Sequence, residues 1–218
     1  RKSIQKEFNW NRVADDFIQI IRTVVASSEK KRLGQLFRIK SLPFLLEEDN
    51  ASKILDLGCH NADWLMTKDA PIKVGVDFDP ILLMPVIPIV KADVYRLPFK
   101  SESFDSIYAL DLIEHLNDVQ LLVKEITRVL NMNGKVIIST PSNEIRIHPK
   151  ILTNIISHAW GHKIRRGFTK AEIYELFGKE FNITIKDWSA KSYLRNYVVI
   201  RTIQMINERL ALKLLDSV

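Results

Sequence analysis

Two carboxylates lie at or beside the ends of predicted strands, at a spacing that suits a nucleoside. Asp56 lies in the short apolar run 54–57, and Gly58 breaks that run at the start of a turn. A second apolar run, Ile72–Asp77, ends in Asp77, which follows Asp56 by 21 residues. A carboxylate about 20 residues beyond a glycine-containing first turn can accept hydrogen bonds from both hydroxyls of a ribose. The two strand ends therefore predict a nucleoside-binding edge.

Parallel strands are needed to bring these carboxylates to one edge. The alternation of short apolar runs with helical segments predicts an α/β fold: a Rossmann-like, doubly wound, mostly parallel sheet with helices on both faces and an N-terminal helical cap. The expected strands are 53–57, 72–77, 87–91, 104–110 and 135–140. The expected helices run from Asn61 or Asp63 as cap to about 69, over 117–131 up to Asn133-Gly134, and from a capping box at Thr169 and Glu172 through Phe177.

The whole chain, 1–218, is interpreted as one domain with a cofactor-binding core over 52–141. Residues 1–48 form the cap, with helices over 4–26 and 30–47 that pack on the sheet or cover the acceptor as a lid. Residues 142–218 supply the acceptor side and the C-terminal elements. These include a helix over 151–160, a strand over 181–188 and a long helix over 190–215, with a strand at 197–200 as the alternative.

The composition indicates an ordinary globular chain and excludes several classes. Of 218 residues 46% are hydrophobic, no apolar run reaches transmembrane length, and no signal peptide is recognised. Cys59 is the only cysteine, which excludes an intrachain disulfide and a cysteine metal cluster and favours the cytoplasm. His158 and His162 lack the acids that would complete a metal site, so no metal is expected. The net charge of +6 permits an anionic partner without requiring one.

Five segments in order and in register carry a resemblance to a known family. They are Ile54–Cys59, Val74–Pro80, Lys91–Phe99, Ser103–Leu116 and Glu125–Pro141. Together they resemble the class I S-adenosylmethionine-dependent methyltransferases, in particular the small-molecule group with a type 11-like methyltransferase domain. The resemblance implies S-adenosyl-L-methionine as the cofactor.

The same resemblance implies roles for individual residues. The loop residues Asp56, Gly58, Cys59 and His60 would frame the methionine end of the cofactor. Asp77 would bind the ribose hydroxyls and Phe78 would pack against the adenine. Asp93 would accept the adenine amino group beside the Val94 backbone, and Leu110 would lie beneath the cofactor. His115 is the candidate catalytic base, because a histidine pKa lies near neutrality. The alternative is a structural histidine.

One departure from the family pattern affects the first loop. The family has Asp-x-Gly-x-Gly-x-Gly, whereas this chain has Asp56, Gly58, His60 and Ala62. A side chain at position 60 restricts φ and limits close approach of a ligand. Either the loop follows a somewhat different path and still binds, or cofactor binding is weakened.

Three functions follow from these observations. The first is methyl transfer to a small-molecule acceptor, at oxygen. The second is RNA methylation, which is disfavoured because the Asn/Asp-Pro-Pro-Tyr/Phe turn of many amino-methylating enzymes is missing after the fourth strand, where Asp111-Leu112 stands. The third is a catalytically impaired binding protein with this fold. Basic and apolar residues near the C-terminus could lie on a membrane surface, but core packing or pairing in a homodimer is the simpler interpretation.

Overall fold

The computed structural model describes residues 50–80, 87–143 and 167–186, with Ile203 and Leu210 as isolated positions. Its strands are β1 Lys53–Leu57, β2 Ile72–Asp77, β3 Ile89–Lys91, β4 Phe104–Leu110 and β5 Leu130–Ser139. Its helices are α1 Asp63–Met66, α2 Val119–Val129 and α3 Lys170–Phe177, and a 3-10 turn covers Ile113–His115.

These strands form one parallel sheet in the order β3-β2-β1-β4-β5. The predicted Rossmann-like parallel sheet is therefore confirmed. From β1 the chain moves outward through β2 to β3, and it then returns to the other side of β1 as β4. Ligands of such sheets bind beyond the carboxyl ends of the strands at this reversal, which here lies between β1 and β4.

The sheet is buried because apolar side chains cover both of its faces. In β1, Ile54 and Leu55 are fully buried and point to opposite faces. On one face α2 contributes Leu122 and Ile126 to the larger core cluster. Leu121 of the same helix is 42% exposed and lies off that face.

The end of α2 differs from the prediction. The helix stops at Val129, and Leu130 already pairs with Phe104 in an extended conformation. The next residues in register are Ser106 and Lys135, so residues 131–134 of β5 bulge opposite one residue of β4. The predicted turn at Asn133-Gly134 therefore shapes this bulge and does not end the helix, and Asn133 is left-handed with φ 67°.

A strand was predicted over 181–188. The structure describes residues 181–186 of this range, and they do not form a strand. Burial alternates along them as expected for an extended segment, and Phe181 and Ile183 pack against the core. No strand is assigned over 181–186, so the apolar alternation is satisfied by packing and not by pairing. The predicted elements 4–26, 30–47, 151–160 and 190–215, with 197–200, lie outside the continuous described ranges.

Candidate active site

The loop after β1 turns towards β2 through three left-handed residues. Gly58 has φ 71°, His60 φ 53° and Ala62 φ 62°. The N–H groups of Gly58 and Cys59 both donate to the carbonyl of Val76, at 2.8 and 3.1 Å. These bonds fix the loop against the end of β2, at the carboxyl edge of the sheet.

The three left-handed residues occupy the positions where the family pattern has glycine. The backbone conformation that glycine favours is thus kept at His60 and Ala62, although both carry a Cβ. The left-handed region costs an L-residue about 1–2 kcal/mol, and histidine is enriched there relative to most side chains. Ala62 also occupies the N-cap of α1 without a side-chain bond, so the prediction of Asn61 or Asp63 as the cap was wrong.

Asp77 is held in one orientation by two backbone N–H groups. Its Oδ2 accepts from the His60 N–H at 2.8 Å, and its Oδ1 accepts from the Asp79 N–H at 2.9 Å. A carboxylate oxygen can accept a second bond, so both oxygens retain capacity for ligand hydroxyls. The side chain predicted to bind ribose is therefore oriented before any ligand arrives.

Cys59 is a packed thiol and not a reactive one. It is 4% exposed, and a Cβ built on Gly75 would lie only 2.5 Å from its Sγ. Burial, followed by the charges of Asp56 and Asp77, raises the pKa of this thiol well above its usual range. A neutral thiol against β2 can help to position the loop, whereas a thiolate nucleophile is not available.

The adenine-side segment predicted around Asp93 follows β3 directly. The Oδ1 of Asp93 accepts from the Tyr95 N–H at 2.9 Å, which closes a short turn. Val94 is buried, whereas Phe78 is 74% exposed and accessible to a flat ligand. The Tyr95 hydroxyl in turn accepts from the N–H of Asp118, the N-cap of α2, at 3.1 Å.

A second connection holds the end of this segment to α2. The guanidinium of Arg128 donates to the carbonyls of Leu97 and Phe99, at 2.9 and 2.7 Å, and to both carboxylate oxygens of Glu125. Glu125 also accepts from the Leu97 N–H at 2.7 Å. These contacts attach both ends of 95–99 to one helix.

The end of β4 carries a polar arrangement that the sequence interpretation missed as a site. Asp111 is left-handed with φ 49°, and its N–H donates to the carbonyl and hydroxyl of Ser139. The Ser139 hydroxyl donates back to Asp111 Oδ1 at 2.8 Å. Burial lowers the pKa of His115, and the charge of Asp111 opposes that shift. The sequence signal that could have indicated this arrangement is Asp111 itself, a charged residue directly after the fourth strand.

Glu114, on the 3-10 turn after β4, is a charged residue that is completely buried. It is 0% exposed, and its Oε2 accepts from the Thr140 hydroxyl at 3.2 Å. A buried carboxylate must be compensated by polar neighbours. Glu114 therefore joins the end of β4 to the end of β5 from inside the protein.

The predicted site residues follow adjacent strands of one parallel sheet. Asp56 lies in β1, Asp77 ends β2 and Asp93 comes just after β3, so all three carboxylates lie towards the same edge. Leu110 ends β4, and His115 follows it on the 3-10 turn. Within 50–80, 87–143 and 167–186, no three His, Cys, Asp or Glu residues are grouped to hold a metal. No helix in this part of the chain has the length and hydropathy of a membrane span.

A parallel sheet with the strand order β3-β2-β1-β4-β5 is typical of Rossmann-like nucleotide-binding folds, and the class I S-adenosylmethionine-dependent methyltransferases that the sequence resembles are one group of them. Residues 55–138 match the sequence model of the family described as a methyltransferase domain. This match covers less than half of the chain, and it agrees with the resemblance to methyltransferases that use S-adenosyl-L-methionine.

Similar proteins have diverse names. The tRNA U34 carboxymethyltransferase of Sulfurimonas denitrificans is 31% identical over 102 residues, which are 40% of this chain and 34% of that protein. The demethylmenaquinone methyltransferase of Streptomyces griseus is 28% identical, with 63% of each chain covered. A structure of phosphoethanolamine N-methyltransferase 2 from Haemonchus contortus, in complex with S-adenosyl-L-methionine, has a TM-score of 0.60 at 17% identity over 81% of this chain and 44% of that one. The chain spans between 22% and 39% of the length of the first curated relatives that it matches.

Proposed function

We propose that this chain is an active methyltransferase that transfers the methyl group of S-adenosyl-L-methionine to a small-molecule acceptor, at oxygen. The observation that carries the proposal is the contact between Asp77 and the first loop. Asp77 accepts the His60 N–H at 2.8 Å while the loop keeps its left-handed path. This arrangement fits an adenosyl group, because a carboxylate held by two backbone N–H groups can still accept hydrogen bonds from ribose hydroxyls beside a fixed loop.

The proposed cofactor contacts are those that the resemblance implies. Asp77 would hold the ribose, and Phe78, Asp93 and Val94 would surround the adenine. The exposed ring of Phe78 and the buried Val94 suit an apolar face and a backbone contact, respectively. Leu110 would lie beneath, and the loop residues Asp56, Gly58, Cys59 and His60 would frame the methionine part. For Cys59 the contribution would come through the position of the backbone, since its thiol packs on Gly75.

The cofactor supplies a methyl group on a sulfonium, which needs no further activation. The protein must orient the acceptor and, for a hydroxyl, accept its proton. His115 is the proposed base. Its pKa is lowered by burial, so the imidazole is neutral and can accept a proton at neutral pH. Asp111, fixed by Ser139, lies close enough to stabilise the imidazolium that would form.

An RNA acceptor is the second candidate. The names of two relatives favour it, a tRNA U34 carboxymethyltransferase and a probable tRNA methyltransferase 9B of Homo sapiens. The absence of an Asn/Asp-Pro-Pro-Tyr/Phe turn after β4 argues against amino methylation of a base, and Asp111-Leu112 stands there instead. The third reading, a catalytically impaired protein, rested on His60, and the retained left-handed backbone weakens that ground.

Calorimetry with the cofactor tests the proposal. Asp77→Ala should weaken binding of S-adenosyl-L-methionine about tenfold or more, because hydrogen bonds to charged groups contribute about 1.5–3 kcal/mol. Asp79→Ala is the matched control, since its side chain is 90% exposed and its N–H to Asp77 survives the substitution. Absence of binding at about 1 mM cofactor, the upper end of common substrate ranges, would refute the enzymatic proposal.

The acceptor class needs a separate measurement. Transfer of a radioactive methyl group from the cofactor can be followed into a small-molecule extract and into bulk tRNA. Label in the organic or small-molecule fraction supports the first candidate. Label in ribonuclease-sensitive material supports RNA and excludes the small-molecule assignment.

A further inference from the structure

The first loop has few backbone donors left for an anionic ligand. The N–H groups of Gly58 and Cys59 donate to Val76, that of His60 donates to Asp77, and that of Ala62 donates to the Cys59 carbonyl at 2.8 Å. Four of the five backbone amides from 58 to 62 are thus committed to protein acceptors. A ligand carboxylate that loses water must gain other donors.

The negative charges near the loop increase the requirement for a donor that faces a ligand carboxylate. Asp56 and Asp77 both act on Cys59, so the loop lies in the negative field of two carboxylates. A further anion is repelled at such a place unless a donor or cation faces it. Between β1 and the end of α1, the side chains with N–H groups that could donate to an anion are those of His60, Asn61 and Trp64. Of these, His60 lies at the centre of the turn 58–62.

The imidazole of His60 has unused hydrogen-bonding capacity. Its Nδ1 is buried and has no hydrogen-bond partner among the described residues. Its backbone is left-handed, which a histidine adopts only at a cost, and its N–H is bound to Asp77. Strained residues of this kind that carry an unsatisfied polar atom are found where a ligand completes the site.

We propose that the imidazole of His60 donates a hydrogen bond to the carboxylate of the methionine part of the cofactor. His60 thereby selects the full cofactor over adenosine compounds that lack the amino-acid end. Either ring nitrogen can donate when it carries the proton. This inference rests on the proposed function, because it assigns one group of the same cofactor to one side chain.

Two commercial ligands separate the amino-acid end from the rest. S-adenosyl-L-homocysteine carries the carboxylate, and 5′-methylthioadenosine lacks the amino-acid part but keeps the nucleoside. His60→Gly suits the left-handed backbone and removes the ring. By calorimetry on the full chain it should bind S-adenosyl-L-homocysteine about tenfold more weakly, the loss expected for a hydrogen bond to a charged group. Binding of 5′-methylthioadenosine should stay within about twofold, as expected when no interaction is lost.

Two further variants control for effects on the loop. Ala62→Gly introduces the same glycine flexibility at the neighbouring left-handed position without removing the imidazole, and it should leave the ratio of the two affinities unchanged. His60→Asn keeps a side-chain donor on a residue type that tolerates the left-handed region, and it should restore most of the lost affinity. Recovery in the asparagine variant would support donation by the side chain.

Several outcomes would overturn this inference. If His60→Gly binds S-adenosyl-L-homocysteine as tightly as the unaltered chain or more tightly, the ring obstructs the loop or is idle. If the variant loses both ligands equally, His60 only maintains the loop. If the unaltered chain binds neither ligand, the proposed function fails as well. If it binds both equally, only the role of His60 fails.

Discussion

Gly75→Ala should destabilise the protein through one defined contact. The added Cβ would lie 2.5 Å from the Sγ of Cys59, 3.2 Å from its Cβ and 3.4 Å from the Cγ1 of Ile89. Cys59 has a short side chain on a backbone that is bonded to Val76, so the sulfur has little freedom to move aside. Overpacking of a filled core costs about 1–3 kcal/mol, and a cost in this range is expected for the free energy of unfolding.

A compensating substitution makes the prediction specific. Cys59→Ala alone removes one buried heavy atom and should cost about 1 kcal/mol, as for the loss of a buried methyl group. In the double variant the alanine methyl at position 75 occupies the space left by the sulfur. The combined cost should then be lower than the sum of the single costs by about 1–2 kcal/mol, a coupling typical of residues in contact.

Urea unfolding of the four proteins, followed by circular dichroism, measures this cycle. The slope of the free energy with urea should be the same in all four, so that a changed midpoint reports stability. Single costs that add to within about 0.5 kcal/mol would show that the two sites are independent. That result would refute the packing of Cys59 on Gly75 and the account of how the loop is held.

Three other predictions concern α2 and the end of β4. Arg128→Lys should destabilise the chain by about 1–3 kcal/mol, nearly as much as Arg128→Ala, because an ammonium cannot satisfy two carbonyls and a carboxylate together. Thermal melts of both variants test this, and full retention of stability in the lysine variant would contradict it. The hydrogen bond to Arg128 holds the pKa of Glu125 below its usual value. The stabilisation by the Glu125 carboxylate is therefore present above the ordinary carboxyl pKa and is lost as pH falls through the lowered pKa. Glu125→Gln should show a smaller loss of stability on acidification, and an unchanged acid profile would contradict this. The imidazole of His115 should titrate below its ordinary pKa in NMR spectra, with His115→Gln used to assign the signal. Asp111→Asn should lower that pKa further, because it removes the charge that opposes the effect of burial. An upward shift in the Asp111→Asn variant would disprove the interaction between Asp111 and His115.

Local patterns predicted the elements whose causes are local. The bounds of β2 and β4 match the apolar runs, and the capping box of Thr169 and Glu172 is present at α3. The bulge in β5 was not predictable, because it depends on the pairing of Leu130 with Phe104, which lies 26 residues away. Apolar residues likewise alternate over 181–186 as they would in a strand, but the sequence of this segment does not indicate whether a partner strand lies beside it.

The candidate site shows the same division. Asp77 was predicted from its spacing after the first turn, and the structure adds the two N–H groups that orient it. Polarity alone would place Glu114 in solvent, whereas its side chain is fully buried. Asp111 was passed over for a similar reason, since its bond to Ser139 joins two strands. The assigned cofactor roles, the domain limits, the cytoplasmic location and the homodimer remain predictions.

The attachment of residues 95–99 to α2 has a consequence for how the protein opens. The segment beside the adenine-side turn is held by contacts to Asp118 at one end of the helix and to Arg128 near the other. Segments joined in this way tend to unfold as one cooperative unit. The Leu97 amide, which donates to Glu125, should therefore exchange its hydrogen for deuterium at a rate close to that of the α2 amides. Ligand binding beside the turn at Asp93 would then slow exchange along α2 as well.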